Sequence, residues 1–378
     1  MTAETAVPTD AAGDVPPELA AAIESGLQAE PSLRPLADHP LAKLTDKGLA
    51  HDHLRLVGSG LLLRIPKQSQ RGYAPADNLR YQAACFARVS ESGHGPKLAG
   101  VLAPRDGLPF GALLVEEIAG RPPKLPEELP ALAACMAKVH ALPLPPLEAR
   151  PPLEDHVDPV AGLLVEIEEQ ARFIPDAGLA AESRQEIEAE LAWGRDFAAG
   201  LNGAAQPVTL VLTDSHPGNF LIDDSGKATI VDLEKALYGS PGVDLAHSTV
   251  YSSTTWDLDV YAELSQQEVA AFYRHYLEII EEAGAAGLAA RLRPWLIPMR
   301  RLLFLRAITW CVMWSVQHQG AAKPAEALEA GGSDWSASKS EAALIAHVAG
   351  RVAEYLRPDI ITRMRGEWLS SPGLDELI

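Results

Sequence analysis

The sequence predicts an α+β chain in two lobes, a smaller sheet-containing lobe over residues 36–117 and a larger, mainly helical lobe over 118–378, behind a leader at 1–35. Three observations carry that prediction. At 378 residues the chain is longer than one compact core usually holds. Short apolar runs separated by glycine turns fill its first third. From Gly120 onward the apolar residues recur mainly at helical spacing.

Taken in order, the leader is rich in Ala, Pro and acidic side chains without sustained periodicity and reads as flexible, with residues 19–27 able to form a short helix. Residues 54–57 and 61–65 read as two strands joined by the tight turn Gly58-Ser59-Gly60. Leu79, Ala83, Phe86 and Val89 then mark a helix over 77–90. Residues 111–115 form a further strand, which runs into Glu116-Glu117-Ile118-Ala119-Gly120. Beyond a Pro-rich connector, Leu129, Leu132, Met136 and Val139 make one apolar stripe leading to His140. Residues 143–159 are a loop, 161–199 one or two amphipathic helices, and 208–212 an apolar strand. Ser265-Gln266-Gln267-Glu268 is a capping box opening a helix through Glu282. Helices are also expected at about 297–318, 337–356 and 360–369, and no internal repeat is visible.

Composition removes several classes of function. The net charge of −19 argues against nucleic acid or an anionic membrane surface as partner, since both require clustered Lys and Arg. The acidity fits a cationic substrate, but solubility is the simpler reading. The three cysteines, Cys85, Cys135 and Cys311, are far apart, lack metal-type spacing, and read as small core residues in a reducing, cytoplasmic compartment. The N-terminus has neither the basic start nor the apolar segment of a signal peptide. Residues 302–316 begin beside Arg300 and Arg301 and contain Arg306, which suits a buried helix and not a membrane span.

The most informative segment is Leu212-Thr213-Asp214-Ser215-His216-Pro217-Gly218-Asn219. Pro217-Gly218 forces a turn, so Asp214 and Asn219 stand at the two ends of a short loop. Asp223-Asp224-Ser225-Gly226 makes a hairpin turn, and the returning strand ends in Asp232-Leu233-Glu234, which brings Asp232 back beside Asn219. Each residue alone is an ordinary turn or strand-end residue. Together, two carboxylates and an amide at one loop mouth are what Mg²⁺-assisted phosphoryl transfer requires.

These residues resemble the aminoglycoside phosphotransferase and choline kinase group, a branch of the protein-kinase-like fold. That family carries an H-G-D-x-x-x-x-N loop, an I-D-(W/F/L)-E strand end and a downstream G-D-P-x-x-D-L-A segment. Here they read Leu212-Thr213-Asp214…Asn219, Val231-Asp232-Leu233-Glu234 and Gly239-Ser240-Pro241-Gly242-Val243-Asp244-Leu245-Ala246. The resemblance covers roughly residues 40–370. It implies a bilobal fold, ATP (GTP not excluded) and Mg²⁺ as cofactors, and a small-molecule hydroxyl acceptor. It also implies roles: Asp214 as catalytic base, Asn219 and Asp232 as metal ligands, and Asp244 as a brace for the loop. Gly48 lies where the nucleotide-covering loop belongs. Arg64, alternating with Leu62, is the phosphate-binding cation, with Lys67 as the alternative. Backbone groups near Glu116 and Ile118 grip the adenine.

The sequence departs from the family at Leu212 in place of His, Thr213 in place of Gly, and Gln82 where a Glu pairs the strand cation. An Arg64–Gln82 hydrogen bond is the expected substitute, although Asn78 sits on a plausible face too. A non-catalytic nucleotide-binding regulatory protein of the same fold is therefore the alternative reading. A phosphatase or hydrolase finds no nucleophile elbow or metal-type His cluster to support it. His51 and His53 read as loop histidines. His216 is a candidate for approaching substrate, His247 and Tyr251 for packing. Trp256, Asp257 and Asp259 read as a solvated loop anchored by one aromatic, with an acceptor contact as the alternative, and Trp310 and Trp314 as core. The acceptor's identity and the oligomeric state are not encoded in any pattern found.

Overall fold

The computed structural model describes residues 15–44, 50–69, 71–318 and 341–378. The chain divides into two compact units, the first taking in Met1–Ala83 and Pro96–Glu117, the second Ala84–Gly95 and most of the chain from Ile118 onward.

The first unit contains α1 (Pro17–Ala29), β1 (Leu41–Lys43), β2 (His51–Leu56), β3 (Leu61–Pro66), the start of α2 (Pro75–Ser90), β4 (Leu98–Leu102) and β5 (Ala112–Glu116). The strands form one antiparallel sheet in the order β1-β2-β3-β5-β4. The hairpin between β2 and β3 turns as expected through Gly58 and Gly60, at φ +82° and +73°, a region that glycine enters without a Cβ clash. Alternation then sorts the side chains. Leu54, Leu56, Leu63 and Ile65 enter one core, whereas His51, His53, Arg55 and Arg64 take the opposite face.

Residues 17–29 take the helical option read at 19–27 over the flexible one. They form α1, whose Ile23 and Leu27 are buried in the same core as the sheet residues. Leu19, Ile23 and Leu27 recur every four residues, so one stripe faces the core. Burying each of the two is worth roughly 1.5–3 kcal/mol, more than the local composition suggests. Strands β1 and β4 lie outside the expected elements altogether. In β4, a methyl on Gly100 would come within 2.7 Å of a Leu33 methyl, so the glycine there serves close packing.

The second unit is mostly helical, with α3 (Leu129–His140), α4 (Pro159–Ala171), α5 (Ala181–Gly200), α6 (Pro241–His247), α7 (Tyr251–Thr254), α8 (Gln266–Glu282), α9 (Leu288–Leu292) and α10 (Leu296–Gln317). Beyond these come α11 (Glu341–Tyr355), α12 (Pro358–Leu369) and α13 (Leu374–Leu377). Two short antiparallel pairs interrupt the helices: β6 (Thr209–Val211) with β9 (Leu237–Gly239), and β7 (Phe220–Ile222) with β8 (Ala228–Ile230). The Ser265–Glu268 capping box forms as expected at the start of α8.

Helix α10 carries the apolar run, and its arginines are matched one by one. Arg300, fully buried, makes a bidentate bond to Glu367. Arg301 and Arg365 share Glu190, and Arg306 reaches Glu166. A buried charge needs such a partner, because its desolvation otherwise costs several kcal/mol. Among the described residues no helix is long and apolar enough to cross a membrane. The three cysteines are buried and unbridged, and burial pushes the Cys135 and Cys311 thiols up to about 12.

One surface pair gives a pH test of stability. Arg121 grips Glu128 through two bonds, of 2.8 and 2.6 Å, and the Lys124 N–H donates a third. The Arg121 bonds hold the Glu128 carboxyl down at about 2, against the upward pull of partial burial. A depressed carboxylate contributes stability above its unfolded value, lost as pH falls through the folded one. Glu128→Gln should therefore lower the denaturation midpoint at pH 7 by the equivalent of about 0.5–1 kcal/mol. Urea titrations should show the gap to wild type closing between pH 4.5 and about 2.

Candidate active site

The loop that carries Asp214 leaves β6 at Leu212 and is held from behind by Asp244, which sits in the first turn of α6 and is fully buried. Its Oδ2 accepts the Leu212 N–H at 2.7 Å and its Oδ1 the Thr213 N–H at 2.8 Å, so the loop is braced as expected. His140, at the end of α3, adds its Nε2 at 3.0 Å from Oδ2, while the Tyr276 hydroxyl lies 2.8 Å from its Nδ1. With Nε2–H donating to the carboxylate, Nδ1 accepts from tyrosine, which fixes the tautomer. Leu212, at the family's His position, is buried and apolar.

Thr213 turns the chain. Its φ is +59°, a left-handed conformation that costs a β-branched residue about 1–2 kcal/mol, and it occupies the family's Gly position. All its polar atoms are engaged. The N–H goes to Asp244, and Oγ1 donates to the Lys235 carbonyl at 2.9 Å. Its own carbonyl faces His247 Nδ1 at 3.2 Å and Arg306 Nη1 at 3.4 Å. These bonds offset the strain. Thr213→Ala should keep the strain and lose the hydroxyl bond, whereas Thr213→Gly relieves the strain. Thermal melts should therefore rank glycine above alanine here by about 1 kcal/mol, the reverse of their usual order.

The turn then closes on itself. Asn219 donates its N–H to the His216 carbonyl at 3.0 Å and its side-chain amide to the Asp214 carbonyl at 2.8 Å. That leaves Asn219 Oδ1 as an acceptor. A methyl on Gly218 would come within 2.6 Å of Asp257 Oδ2, so this glycine lets the Asp257 carboxylate approach the loop. In the β7–β8 hairpin, Asp223 Oδ1 accepts from the Ser225 and Lys227 N–H groups, and Gly226 turns at φ +84°. Val231 N–H donates to the Asn219 carbonyl at 3.0 Å, so the adjoining Asp232 arrives beside Asn219. Asp214, Asn219 and the strand end that carries Asp232 are thus tied together within one unit.

The electrostatics centre on Asp214. Lys235 Nζ lies 2.5 Å from its Oδ2, and His247 Nδ1 is 3.9 Å from its Oδ1. Burial alone would raise this carboxyl, but Lys235, His216 and His247 outweigh it and hold it far below the usual range. Burial pushes His247 down to about 3 despite Asp214, so its imidazole is neutral near pH 7. Lys235 was not singled out from the sequence. Its signal is its place immediately after the Asp232-Leu233-Glu234 strand end.

The expected nucleotide residues of the first unit stand as follows. Arg64 is buried on β3, its Nη2 3.4 Å from His51 Nδ1 and its Nη1 3.4 Å from His53 Nε2. His51 Nε2 in turn faces Gln82 Oε1 at 3.4 Å. His51 therefore stands between Arg64 and Gln82 where a direct bond was expected, and both histidines belong to strand β2, not to a loop. Asn78 is also buried on α2. Lys67 pairs with Asp52 at 3.2 Å, as does Lys43 at 3.1 Å. The Glu116 N–H is taken by the Lys97 carbonyl at 2.9 Å. In the second unit, Ile118 makes no backbone hydrogen bond among the described residues. Gly48 lies outside the described residues.

Trp256 is the anchoring aromatic of its segment. It packs against Trp310, His347 and Tyr355, with ring centroids 5.9, 5.9 and 6.4 Å away. Among the described residues no cluster of three His, Cys, Asp or Glu could hold a metal ion alone. The oxygens that could hold a metal here are the Asp232 carboxylate and the Asn219 amide oxygen. That fits Mg²⁺, which prefers oxygen and keeps waters and nucleotide phosphates as its other ligands.

A braced Asp loop is thus followed by a hairpin that returns a second aspartate toward it. The phosphotransferase enzyme family matches residues 47–290, well over half of the chain, and the chain belongs to that family. No curated protein matches it. Choline kinase from Cryptosporidium parvum superposes with a TM-score of 0.53 at 12% identity, over 94% of this chain and 98% of that one. The GDP complex of aminoglycoside 2'-phosphotransferase-IIIa gives 0.51 at 15% identity, over 84% and 92%. The streptomycin–ATP ternary complex of an aminoglycoside phosphotransferase gives 0.50 at 11%, over 82% and 93%. These likenesses establish the bilobal kinase-like fold.

Proposed function

We propose that this protein transfers the γ-phosphoryl group of ATP, with Mg²⁺, to a hydroxyl of a small molecule. The observation that carries the reading is that Asn219 is bonded both to the Asp214 carbonyl and to the strand end that carries Asp232. In this reading Asp214, kept ionised by its neighbours, accepts the proton of the attacking hydroxyl. Asn219 and Asp232 hold the metal, which when bound neutralises charge on the nucleotide phosphates. In the first unit Arg64 is the phosphate-binding cation, supported by Lys67 already being paired with Asp52. Backbone groups near Glu116 and Ile118 meet the adenine, and Gly48 is assigned to the phosphates by the family resemblance alone. The bound ATP and GDP of two structural neighbours keep both nucleotides in view.

A small acceptor is favoured over a protein one. The segment from Asp232 to Asp244 is occupied by a turn, by β9 pairing with β6, and by the Ser240 cap of α6. It has no length left for a protein kinase's activation segment. The test is ADP release from Mg·ATP and Mg·GTP across a panel of amino alcohols, aminoglycosides, sugars and hydroxy acids. Acceptor-stimulated release abolished by EDTA supports the reading. Nucleotide binding without turnover on any acceptor would sink it in favour of the regulatory alternative.

A further inference from the structure

Lys235 belongs to neither loop nor hairpin motif, yet it is the cation bonded to the proposed base. Its Nζ lies 2.5 Å from Asp214 Oδ2, and its side chain is 31% exposed, so a ligand can reach it. Its backbone is fixed by the Thr213 hydroxyl at 2.9 Å, which ties Lys235 to the loop that carries Asp214. The other basic groups here are placed differently. Arg306 faces the Thr213 carbonyl and Glu166, and the His247 ring packs 6.1 Å from that of His216.

A static ion pair is a poor use of this lysine. An ammonium on a carboxylate lowers its proton affinity, which weakens a general base unless the ammonium has a second task. It carries three N–H donors on a flexible stem, enough to hold a carboxylate and a phosphoryl oxygen together. Charge in phosphoryl transfer spreads over the equatorial oxygens of the transferring group, next to the hydroxyl that the base contacts.

We propose that Lys235 is a catalytic residue whose ammonium bridges the Asp214 carboxylate and the transferring phosphoryl group. This rests on the kinase reading above. In the step, the acceptor oxygen bonds to the γ-phosphorus and its proton passes to Asp214. The bond from that phosphorus to the β–γ bridging oxygen breaks, and its electron pair leaves with ADP. Lys235 changes no covalent bond. It orients the base and stabilises charge on the phosphoryl oxygens.

The experiment compares the full-length wild type with Lys235→Met, Lys235→Gln and Lys235→Arg, each checked for an unchanged thermal melt. Calorimetry reads affinity for Mg·ADP and for the non-hydrolysable β,γ-imido analogue of ATP. Steady-state ADP release reads kcat and KM. The neutral variants should keep ADP affinity, lose about tenfold for the analogue, and lose about 10²-fold in kcat, with partial rescue by arginine. Wild-type analogue-to-ADP affinity ratios in variants that fold, or kcat within about threefold of wild type, would overturn the role of Lys235. If the wild type itself shows no Asp214-dependent turnover, the kinase reading falls and takes this proposal with it. The two failures are thus told apart.

Discussion

Asp214→Asn is expected to lower phosphoryl-transfer turnover by about 10²–10⁴-fold, the usual worth of a positioned general base. Asparagine has the shape of aspartate, so the loop should persist. The loop's bonds to Asp244 and to Asn219 use backbone atoms of residues 212–214, not the Asp214 carboxylate. What is lost is the proton acceptor and the partner of Lys235. Nucleotide affinity should change little, because the role assigned to Asp214 concerns the acceptor hydroxyl. Single-turnover ADP formation with saturating Mg·ATP separates these effects. A variant that loses binding and rate together would point to a structural role, and one that keeps more than a tenth of the rate would remove Asp214 from its role as base.

How far the site was legible in the sequence follows from the range of the forces involved. The placing of Asp214, Asn219 and Asp232 around one turn and one hairpin could be read because turns and hairpins are local. Pro217-Gly218 and the Asp223–Gly226 turn fix where each side chain returns, whatever the rest of the chain does. Lys235 obeys the same hairpin, but a lysine beside a glutamate looks like any solvated charge until a carboxylate is found 2.5 Å away. His140 was visible only as the end of a stripe, and its bond to Asp244 crosses 104 residues of sequence. No local pattern encodes such a contact.

In the first unit the alternation His51, His53, Arg55 against Leu54 and Leu56 was itself a strand signal, and reading the histidines as loop residues missed it. The same period accounts for how Arg64 comes to lie against both histidines, and for the relay through His51 to Gln82 in place of a direct contact. Helix α1 was legible only as an option over 19–27, since Ala, Pro and acidic residues dilute its stripe of Leu19, Ile23 and Leu27. Thr213 is the instructive case. The sequence shows only that threonine stands at the family's glycine, and a glycine position is one where positive φ is affordable. The backbone is left-handed there, at φ +59°.

Asp244→Asn should cost about 3 kcal/mol and lower the melting temperature of the second unit by about 6–10 °C. The fully buried carboxylate accepts from Leu212 and Thr213 N–H on different oxygens, with His140 as a third donor. An amide offers one oxygen and turns an NH₂ toward a donor that it cannot accept. At least one backbone N–H is then buried without a partner, at about 1–3 kcal/mol, and His140 shares what remains. The effect should be local first. Amide exchange at Leu212 and Thr213 should speed up well before global unfolding, while the Ser265–Glu268 cap of α8 keeps its protection. Because Thr213 holds its left-handed turn partly through that N–H bond, loosening it also frees Asp214 to wander, so kcat should fall with KM little changed. Unchanged exchange at Leu212 and Thr213 would mean that β6 and the Thr213 hydroxyl hold the loop without Asp244.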